Sequence, residues 1–295
     1  MLDNKIKSVI ENITNSKIIS SSSISGGCIS NAYKITLVRR GGQDDKRNLF
    51  LKINHSHPAD MFRKEANGLK ELSKSSVINI PEVIAVDDSF ILLEFIEGST
   101  KQNDFFEDFG RSFAQMHKFS SNSFGFYEDN YIGSTKQINI PGENGKNNWA
   151  SFYFNNRILF QFKLTEKNGY VTDELKKGIS YLENNIEKIL SCSEEPPSLL
   201  HGDLWGGNYM VNNNGKVSLI DPAVYYGHRE ADLAMTKLFG GFSESFYTSY
   251  QEIYPLKDGY KYRENIYKLY HVLNHLNLFG SGYYSQAISL IKSYH

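Results

Sequence analysis

The sequence predicts an α+β protein of two lobes, a small antiparallel sheet followed by a mainly helical part. Alternating apolar residues and turn signals dominate residues 1–98, whereas long segments with helical spacing dominate residues 99–295. A hairpin pattern at residues 209–220 interrupts the helical part. With 295 residues, 40% of them hydrophobic, the chain is long enough to bury a sizeable core.

The first lobe is predicted to begin with a helix that is followed by a hairpin. Apolar residues between positions 2 and 13 have helical spacing with charges between them, unlike the continuous apolar core of a signal peptide. A Ser/Gly-rich turn at residues 21–27 then leads into a strand in which Tyr33, Ile35 and Leu37 alternate with other residues.

Three further elements complete this lobe. The segment "LFLKI" predicts the second strand of the hairpin, with Lys52 on the face opposite its apolar neighbours. A segment with helical spacing follows and contains Glu65, and Asp60 is placed to cap or favour its N-terminus. Two short apolar runs within residues 81–98 flank a turn and predict another hairpin.

The second lobe is predicted from its amphipathic segments. Helical spacing recurs in "DFFEDFGRSFAQMH", "WASFYFNNRILFQFKL", "DELKKGISYLENNIEKIL", "READLAMTKLF" and "YRENIYKLYHVLNHLNLF". Between the third and fourth of these, the runs "YMV" and "VSLI" are joined by the turn "NNNG" and predict a hairpin. This hairpin lies within a helical lobe and has polar residues at both ends.

The composition argues against several classes of protein. The net charge is -1, without the clustered Lys and Arg that nucleic acid or an anionic membrane would attract, so neither partner is expected. The longest apolar run, "FILLEFI", is too short to cross a bilayer. The two cysteines, Cys28 and Cys192, lie in segments of different character and predict no disulfide framework. We therefore expect a protein of the reducing cytoplasm.

Three polar side chains flanking the hairpin of the second lobe are the strongest indication of chemistry. Asp203 and Asn208 occur in "HGDLWGGN", and Asp221 opens "DPA". An acid, an amide and an acid that converge there supply oxygen ligands that Mg²⁺ prefers together with phosphate oxygens. The first two have the interval of the kinase catalytic loop, and the third follows where kinases place a metal-binding aspartate. Asn208 and Asp221 are therefore candidate metal ligands, and Asp203 is the candidate catalytic residue.

The first lobe contains further residues that kinases use, in the same order along the chain. Lys52 is placed to pair with the α- and β-phosphates of ATP, and Glu65 to hold that lysine by an ion pair. Gly26 and Gly27, next to Cys28, lie where a glycine-rich loop would cover the phosphates. These residues are the candidate ATP-binding set.

The segment "LLEFIEG" is predicted to be the strand and hinge between the lobes, where the backbone near Glu94 and Ile96 would meet adenine. Each feature alone has an ordinary structural alternative, because strand lysines usually face solvent and paired glycines usually mark turns. His201 is assigned a structural role, that of holding its loop. Taken together, the pattern D-x-x-x-x-N, the later aspartate and the upstream lysine and glutamate predict a phosphotransferase that uses ATP and Mg²⁺.

These motifs resemble those of the fructosamine kinase (ketosamine-3-kinase) family, a relative of the aminoglycoside and choline kinases, over nearly the whole chain. The shared segments are "GGCIS", "LFLKIN", "MFRKEANGLKEL", "FGF", "GSTKQIN" and "W..FY...R". The most distinctive are "LLHGDLWGGN" and "DPAVYYGHREADLAMTKLFGGF", because aminoglycoside kinases are not expected to show W-G-G or Y-Y-G-H-R-E. The resemblance implies a protein-kinase-like fold with an ATP-binding lobe at residues 1–98 and a catalytic and substrate lobe at residues 99–295.

The resemblance also implies a reaction. ATP would phosphorylate the 3-hydroxyl of a ketoamine, the adduct of a sugar with lysine or another amine, and the product would then eliminate, which amounts to deglycation repair. Asp203 would accept or orient the hydroxyl proton, while Mg²⁺ on Asn208 and Asp221 would neutralise phosphate charge. Trp205 would line the sugar site beside the base, with a core aromatic as the equal alternative.

Residues that follow the metal aspartate are also candidates. Tyr225, Tyr226, His228 and Arg229 form a polar aromatic cluster where kinases carry an activation segment, so they are candidates to shape the acceptor pocket. A packing role is the alternative for all four. By similarity to kinase-like folds, Asp232 is expected to be a buried acid that steadies the catalytic loop.

Cys28 leads to a regulatory hypothesis. A thiol among loop amides and near a lysine favours the thiolate, which could form an intermolecular disulfide, so a redox-linked dimer stands beside a monomer. The alternative for Cys28 is a small buried hydrophobe.

The identity of the acceptor remains open in the sequence, between a small ketosamine and a glycated protein. Two other functions compete with ketosamine phosphorylation. One is a small-molecule kinase of the aminoglycoside or choline type, and the other is a nucleotide-binding pseudokinase that serves as an interaction module.

Overall fold

The structure is a computed structural model that describes residues 2–24, 31–39, 46–54 and 58–295. The first lobe consists of α1 (Asn4–Ile13), β1 (Ser16–Ile24), β2 (Asn31–Arg39), β3 (Lys46–Ile53), α2 (Met61–Ser73), β4 (Val83–Val86) and β5 (Phe90–Glu94). In the described part of the chain, the strands form one five-stranded sheet in the order β1-β2-β3-β5-β4, and neighbouring strands are antiparallel.

The two faces of this sheet pack against different helices. Leu51 and Ile53 point to a cluster that includes Ile6 and Ile10 of α1. Because side chains alternate along a strand, Lys52 points to the other face, where α2 packs. The prediction that Lys52 lies opposite its apolar neighbours is confirmed, and this alternation directs its ammonium group toward α2.

One local prediction for this lobe was wrong, and another holds only in part. Residues 21–24 of the segment expected to be a turn belong to the strand β1, and the rest of that segment lies outside the described residues. Within the described part of the chain, β1 pairs with β2 alone at the sheet edge, and its residues 20–23 are exposed. An edge strand with a solvated face needs no apolar alternation, so its pattern gave no signal. Asp60 occupies the N-cap position of α2, as expected, but its side chain makes no capping hydrogen bond, and its Oδ1 accepts a hydrogen bond from Tyr131 at 2.7 Å.

The second lobe is mainly helical, as predicted. Its longer elements are α3 (Phe105–His117), β6 (Asn130–Ile132), β7 (Thr135–Gln137), α4 (Trp149–Tyr153), α5 (Phe160–Lys167), α6 (Asp173–Ile189), β8 (Ser198–Leu200), β9 (Tyr209–Val211), β10 (Val217–Leu219), β11 (Tyr225–Gly227), α7 (Glu230–Leu238), α8 (Glu244–Ile253), α9 (Tyr260–Phe279) and α10 (Tyr284–Lys292). The five predicted helical segments are helical, but a π-helical segment at Phe154–Leu159 divides the second of them.

Two short antiparallel pairs position the loops between the lobes. β9 and β10 form the predicted hairpin, and β8 pairs with β11 so that Leu200 faces Tyr225. This second pairing brings the loop after β8 next to the loop before β11. Residues 95–99 connect the lobes, and the amide of Ser99 donates to the carbonyl of Val211 at 3.1 Å. The two-lobed α+β class is therefore confirmed.

Among the described residues, no helix combines the length and the apolar character that crossing a membrane would need.

Candidate active site

One buried carboxylate, that of Asp232, holds the loop after β8 in place. Asp232, in the first turn of α7, accepts hydrogen bonds from the backbone amides of His201 at 2.7 Å and Gly202 at 2.8 Å. Its Oδ2 also lies 3.2 Å from Nε2 of His117. Burial alone would raise the pKa of Asp232, but these donors, above all His117, hold that pKa below its ordinary value. Asp232 therefore remains a charged anchor for the loop.

Gly202 and His201 join this loop to the segment that carries Asp221. Gly202 has φ +82°, and a Cβ atom there would lie 2.0 Å from the carbonyl oxygen of Ala223, so only glycine fits. His201 lies with Nε2 2.9 Å from the carbonyl oxygen of Ile220 and Nδ1 3.3 Å from the amide of Asp203. Burial lowers the pKa of His201, so the neutral ring donates to the carbonyl and accepts from the amide.

Asp203 and Asn208 contact each other at the head of the loop. The Asn208 amide group donates to the backbone carbonyl of Asp203 at 2.7 Å and to its Oδ2 at 3.2 Å. Burial raises the pKa of Asp203 well above its ordinary value, and the charges of Asp221 and Asp232 add to this, against the hydrogen bond from Asn208. Asp203 is therefore a stronger proton acceptor than an exposed aspartate.

Lys52 connects the two lobes electrostatically. Its Nζ lies 2.8 Å from Oε1 of Glu65 on α2 and also contacts Oδ1 of Asp221. Although burial alone lowers the pKa of Lys52, the charges of Asp221 and Glu65 raise it above its ordinary value. Asp221 has φ +55°, an uncommon conformation for a residue other than glycine, and its side chain is 41% exposed. The structure therefore brings Lys52 together with Glu65, the partner expected from the sequence, and also with Asp221, a contact that was not predicted.

The other residues predicted to contact the nucleotide are those near the connection between the lobes and those of the phosphate loop. Glu94 ends β5, and its backbone amide donates to the carbonyl of Glu82 on the neighbouring segment. Ile96 is buried in the connection between the lobes. The predicted phosphate loop with Gly26, Gly27 and Cys28 lies outside the described residues.

Trp205 lies at the surface of the loop after β8. Its side chain is 38% exposed, which does not fit the alternative of a core aromatic. A Cβ atom on Gly207 would lie 2.5 Å from the indole ring, so the second glycine of W-G-G lets the ring fold over the loop backbone. Trp205 is therefore accessible from solvent in the loop that carries Asp203.

The cluster after Asp221 is buried and satisfied by other contacts. Tyr226 donates its hydroxyl hydrogen bond to Glu71 of α2 at 2.8 Å, and His228 is 2% exposed. Arg229 is fully buried, and its Nε and Nη2 donate to the two carboxylate oxygens of Glu195 at 2.7 and 2.8 Å. These contacts favour the packing role for Tyr226, His228 and Arg229, and their expected part in the acceptor pocket stays a prediction.

Tyr225 has a buried partner that sequence reasoning did not identify. The guanidinium of Arg157 lies 4.1 Å from the centre of the Tyr225 ring, and its Nη2 donates to Oδ1 of Asn139 at 2.7 Å. Burial raises the pKa of Tyr225 to about 12, although the charge of Arg157 opposes this. The only signal for Arg157 was its place in "W..FY...R".

Further contacts tie α2 to the second lobe. Lys64 and Asn67 donate to the carboxylate of Glu128 at 2.6 and 2.8 Å. With the Tyr226 to Glu71 hydrogen bond, they fix the helix that carries Glu65. No sequence pattern pointed to these contacts, because the partners are far apart along the chain.

The two lobes, the Lys52 to Glu65 ion pair and the loop of Asp203 define a kinase-type phosphotransferase. The sequence profile of the family described as "Fructosamine kinase" matches residues 1–295. The chain belongs to the fructosamine kinase family, and it is accordingly a phosphotransferase that acts on a hydroxyl group.

Relatives with curated names agree with this family. A "Protein-ribulosamine 3-kinase, chloroplastic" of Oryza sativa subsp. japonica is 40% identical over 287 residues, which cover 94% of this chain and 79% of the relative. A protein of Vibrio parahaemolyticus named as a probable ketoamine kinase is 39% identical over 282 residues, with 92% of each chain covered.

Solved structures agree with the fold. A candidate fructosamine-3-kinase of Thermobifida fusca superposes with a TM-score of 0.88 at 28% identity, covering 99% of both chains. An ADP-bound aminoglycoside phosphotransferase superposes with a TM-score of 0.64 at 15% identity, covering 99% of this chain and 98% of that one, and shows the shared fold alone.

Proposed function

We propose that this protein transfers the γ-phosphate of ATP to the 3-hydroxyl of ketoamines and so starts the removal of sugars from glycated amines. The observation that carries the proposal is the meeting of Lys52, Glu65 and Asp221 at the loop that bears Asp203, in a chain of the fructosamine kinase family. The names of the ribulosamine and ketoamine kinase relatives support the substrate class.

Asp203 is proposed as the catalytic residue. Its raised pKa makes the carboxylate a better acceptor for the proton of the attacking hydroxyl, or a better group to orient it. Trp205 is proposed to line the sugar site, because its exposed indole lies in the same loop and offers an apolar face and one N–H donor. Tyr226, His228 and Arg229 have no proposed contact with substrate.

The nucleotide is proposed to lie between the lobes. Lys52, held by Glu65, supplies a fixed positive charge for the α- and β-phosphates of ATP. Gly26, Gly27 and Cys28 are proposed to cover the phosphates, and the backbone near residues 94–96 to meet adenine. The boundary between the ATP-binding lobe and the catalytic lobe is proposed to lie at residue 98.

The donor set of the cleft fits Mg²⁺. Asn208 uses its amide nitrogen toward Asp203, which leaves its carbonyl oxygen as the donor that suits a hard cation, and Asp221 adds a carboxylate. Within the described residues no group of three or more His, Cys, Asp or Glu could hold a metal ion. Mg²⁺ commonly binds through one or two protein oxygens together with substrate phosphates, so Asn208 and Asp221 would hold it with ATP and neutralise phosphate charge.

The test is a substrate panel. ADP release with ribulose-lysine or fructose-lysine is expected to exceed that with kanamycin or choline by at least about 100-fold, since sites built for one polar acceptor reject others strongly. Equal or greater turnover of kanamycin or choline would instead assign a small-molecule kinase of that type. ATP binding without turnover of any ketoamine would identify a pseudokinase.

Glycated protein as substrate, a cytoplasmic location and a redox-linked dimer through Cys28 are further parts of the proposal. The dimer is tested by non-reducing gels after peroxide treatment. A dimer band is expected that disappears in Cys28→Ser and persists in Cys192→Ser, whose cysteine is exposed and serves as the matched control. A monomer band that peroxide leaves unchanged would remove the idea.

A further inference from the structure

A run of aromatic side chains leads from the catalytic loop over the surface of the second lobe. The ring of Trp205 lies 6.1 Å from that of Phe239, which lies 4.8 Å from the imidazole of His275. His275 in turn lies 5.3 Å from the ring of Phe279 and 5.2 Å from that of Tyr283. We call these five residues the aromatic strip.

Three of the five side chains of the aromatic strip are exposed, and His275 and Tyr283 are half-buried. Phe279 is 59% exposed, and Trp205 and Phe239 are each 38% exposed. Among the described residues, nine large hydrophobic side chains are exposed, and three of them belong to this one strip. Single exposed apolar residues are ordinary, but contiguous ones beside a site indicate a surface that binds something.

The backbone holds the strip in place at two helix ends. Phe239 directly follows α7 and precedes Gly240 at φ +91°, while Phe279 is the last residue of α9 and precedes Gly280 at φ +92°. These left-handed glycines turn the chain away and leave each phenylalanine at the surface. His275 lies one turn before Phe279 on the same helix, so the two rings share a helix face.

The strip carries little positive charge. Burial lowers the pKa of His275, whose Nδ1 donates to the carbonyl of His271 at 2.8 Å, so its ring is neutral at neutral pH. Lys237 in the last turn of α7 is paired with Glu264 at 2.6 Å. Neutral aromatic faces attract both apolar groups and cationic side chains.

We propose that the aromatic strip binds the polypeptide segment on either side of a glycated lysine. The inference rests on the proposed function, because it takes the sugar end of the substrate to lie at Trp205. A substrate whose sugar reaches Asp203 must leave the site across the adjoining surface, and the strip begins at the same loop. The spacings of 4.8 to 6.1 Å between rings correspond to about one or two residues of extended chain.

The occupant is therefore an extended peptide with an aromatic or apolar residue next to the glycated lysine. Phe239, Phe279 and Tyr283 would contact that neighbour, while free ribulose-lysine would reach only the Trp205 end. The strip would thus favour glycated protein segments over free glycated amino acids, through binding energy remote from the reacting hydroxyl.

The test compares kcat/KM for free ribulose-lysine with that for two ribulosylated peptides that differ only in Phe or Ser beside the modified lysine. In the wild-type protein the Phe peptide is expected to be favoured over the Ser peptide by about three- to tenfold, the range of one aromatic contact. Phe279→Ser is expected to abolish this preference and to leave free ribulose-lysine within about twofold of wild type.

Tyr262→Ser is the matched control, because Tyr262 is 52% exposed on the same helix but lies outside the strip. It is expected to change none of the three values. Equal kcat/KM for both peptides in the wild-type protein would overturn the proposal that the aromatic strip binds the peptide. The same holds for a Phe279→Ser variant that keeps the preference for the Phe peptide or that loses activity on all three substrates alike. Failure of wild type to phosphorylate free ribulose-lysine or either peptide would overturn the proposed function instead.

Discussion

Two charged clusters lie close together in sequence but differ in how their charges are balanced. In the cleft, Asp203 is half-buried with a raised pKa, and Asp221 has a left-handed backbone and an exposed carboxylate. Behind the cleft, Arg229 donates to both oxygens of Glu195 and to the carbonyls of Tyr254 and Pro255. The charged groups of the first cluster can therefore still act on a substrate, whereas the charge of Arg229 in the second cluster is balanced by its own partners.

The difference distinguishes a cluster suited to catalysis from a cluster that stabilises the fold. A carboxylate whose pKa is raised in a cleft between lobes is costly for folding and suited to accepting protons. Arg229 donates to both oxygens of a carboxylate, to two carbonyls and to the hydroxyl of Tyr250, so all five of its N–H donors are used and none is left for a substrate. Changes in the cleft should therefore affect the rate, and changes at Arg229 should affect stability.

The largest rate effect outside Asp203 is expected at Lys52. Lys52→Met removes the fixed charge that faces the phosphates, and kcat/KM for ATP is expected to fall by about 10²- to 10³-fold. Lys46→Met, an exposed lysine on the same strand, serves as control and is expected to stay within about twofold. Steady-state kinetics at varied ATP distinguish the two, and near-normal activity of Lys52→Met would contradict the assigned role.

The largest stability effect is expected at Arg229. Arg229→Met leaves Glu195 buried without its partner, and the free energy of unfolding is expected to fall by about 3–5 kcal/mol, as measured by urea denaturation. Arg111→Met, which breaks an exposed pair with Glu252 at 3.4 Å, is expected to cost less than about 1 kcal/mol. Similar losses in both variants would remove the distinction between the clusters.

The two clusters should also respond to pH with opposite signs. Burial raises the pKa of Glu195, but Arg229, His228 and Lys257 together lower it below its ordinary value. The contribution of Glu195 to stability is therefore present above its unfolded pKa and is lost as pH falls through the lowered folded value. Asp203 has a raised pKa, so its ionisation destabilises the fold as pH rises through that value, and protonation stops catalysis as pH falls.

The pH dependence of kcat/KM for ribulose-lysine measures the second effect. An acidic limb is expected with a midpoint above about 4, the ordinary range for an aspartate. A rate that stays constant down to about pH 4 would show that no group of raised pKa acts as base.

The smallest effect is expected at Tyr226, which lies between the clusters in sequence. Tyr226→Phe removes the hydrogen bond to Glu71 and loosens α2, so the free energy of unfolding should fall by about 2 kcal/mol and KM for ATP rise severalfold with kcat less affected. Tyr153→Phe, which loses hydroxyl bonds to the carbonyls of Ile266 and Tyr267 within the second lobe, is the control. An equal rise in KM for both variants would show that Tyr226 acts only through general stability.

The sequence was most informative where local spacing decides geometry. Strand alternation directs Lys52 toward α2, and helical spacing places Glu65 on that helix to meet it. The interval between Asp203 and Asn208 spans one loop, so their contact depends on few residues. The fold class followed from the same periodicities.

The sequence was least informative where a partner lies far along the chain. The polar aromatic residues after Asp221 suggested a pocket. Glu195, which accepts the hydrogen bonds of the buried Arg229, belongs to the loop before β8, so no sequence pattern indicated this pairing. Neither the contact of Tyr226 with Glu71 nor the edge strand β1 leaves a periodic signal. Such contacts are set by tertiary packing and not by local preference.

Asp203→Asn tests the central claim most directly when turnover, ATP affinity and melting temperature are measured on the same variant. Because the carboxylate of Asp203 is destabilised by burial and used as the base, kcat with ribulose-lysine should fall by at least about 10³-fold, ATP affinity should stay within about threefold, and the melting temperature should not decrease. Retained turnover, or a variant that loses its fold together with its activity, would contradict the account.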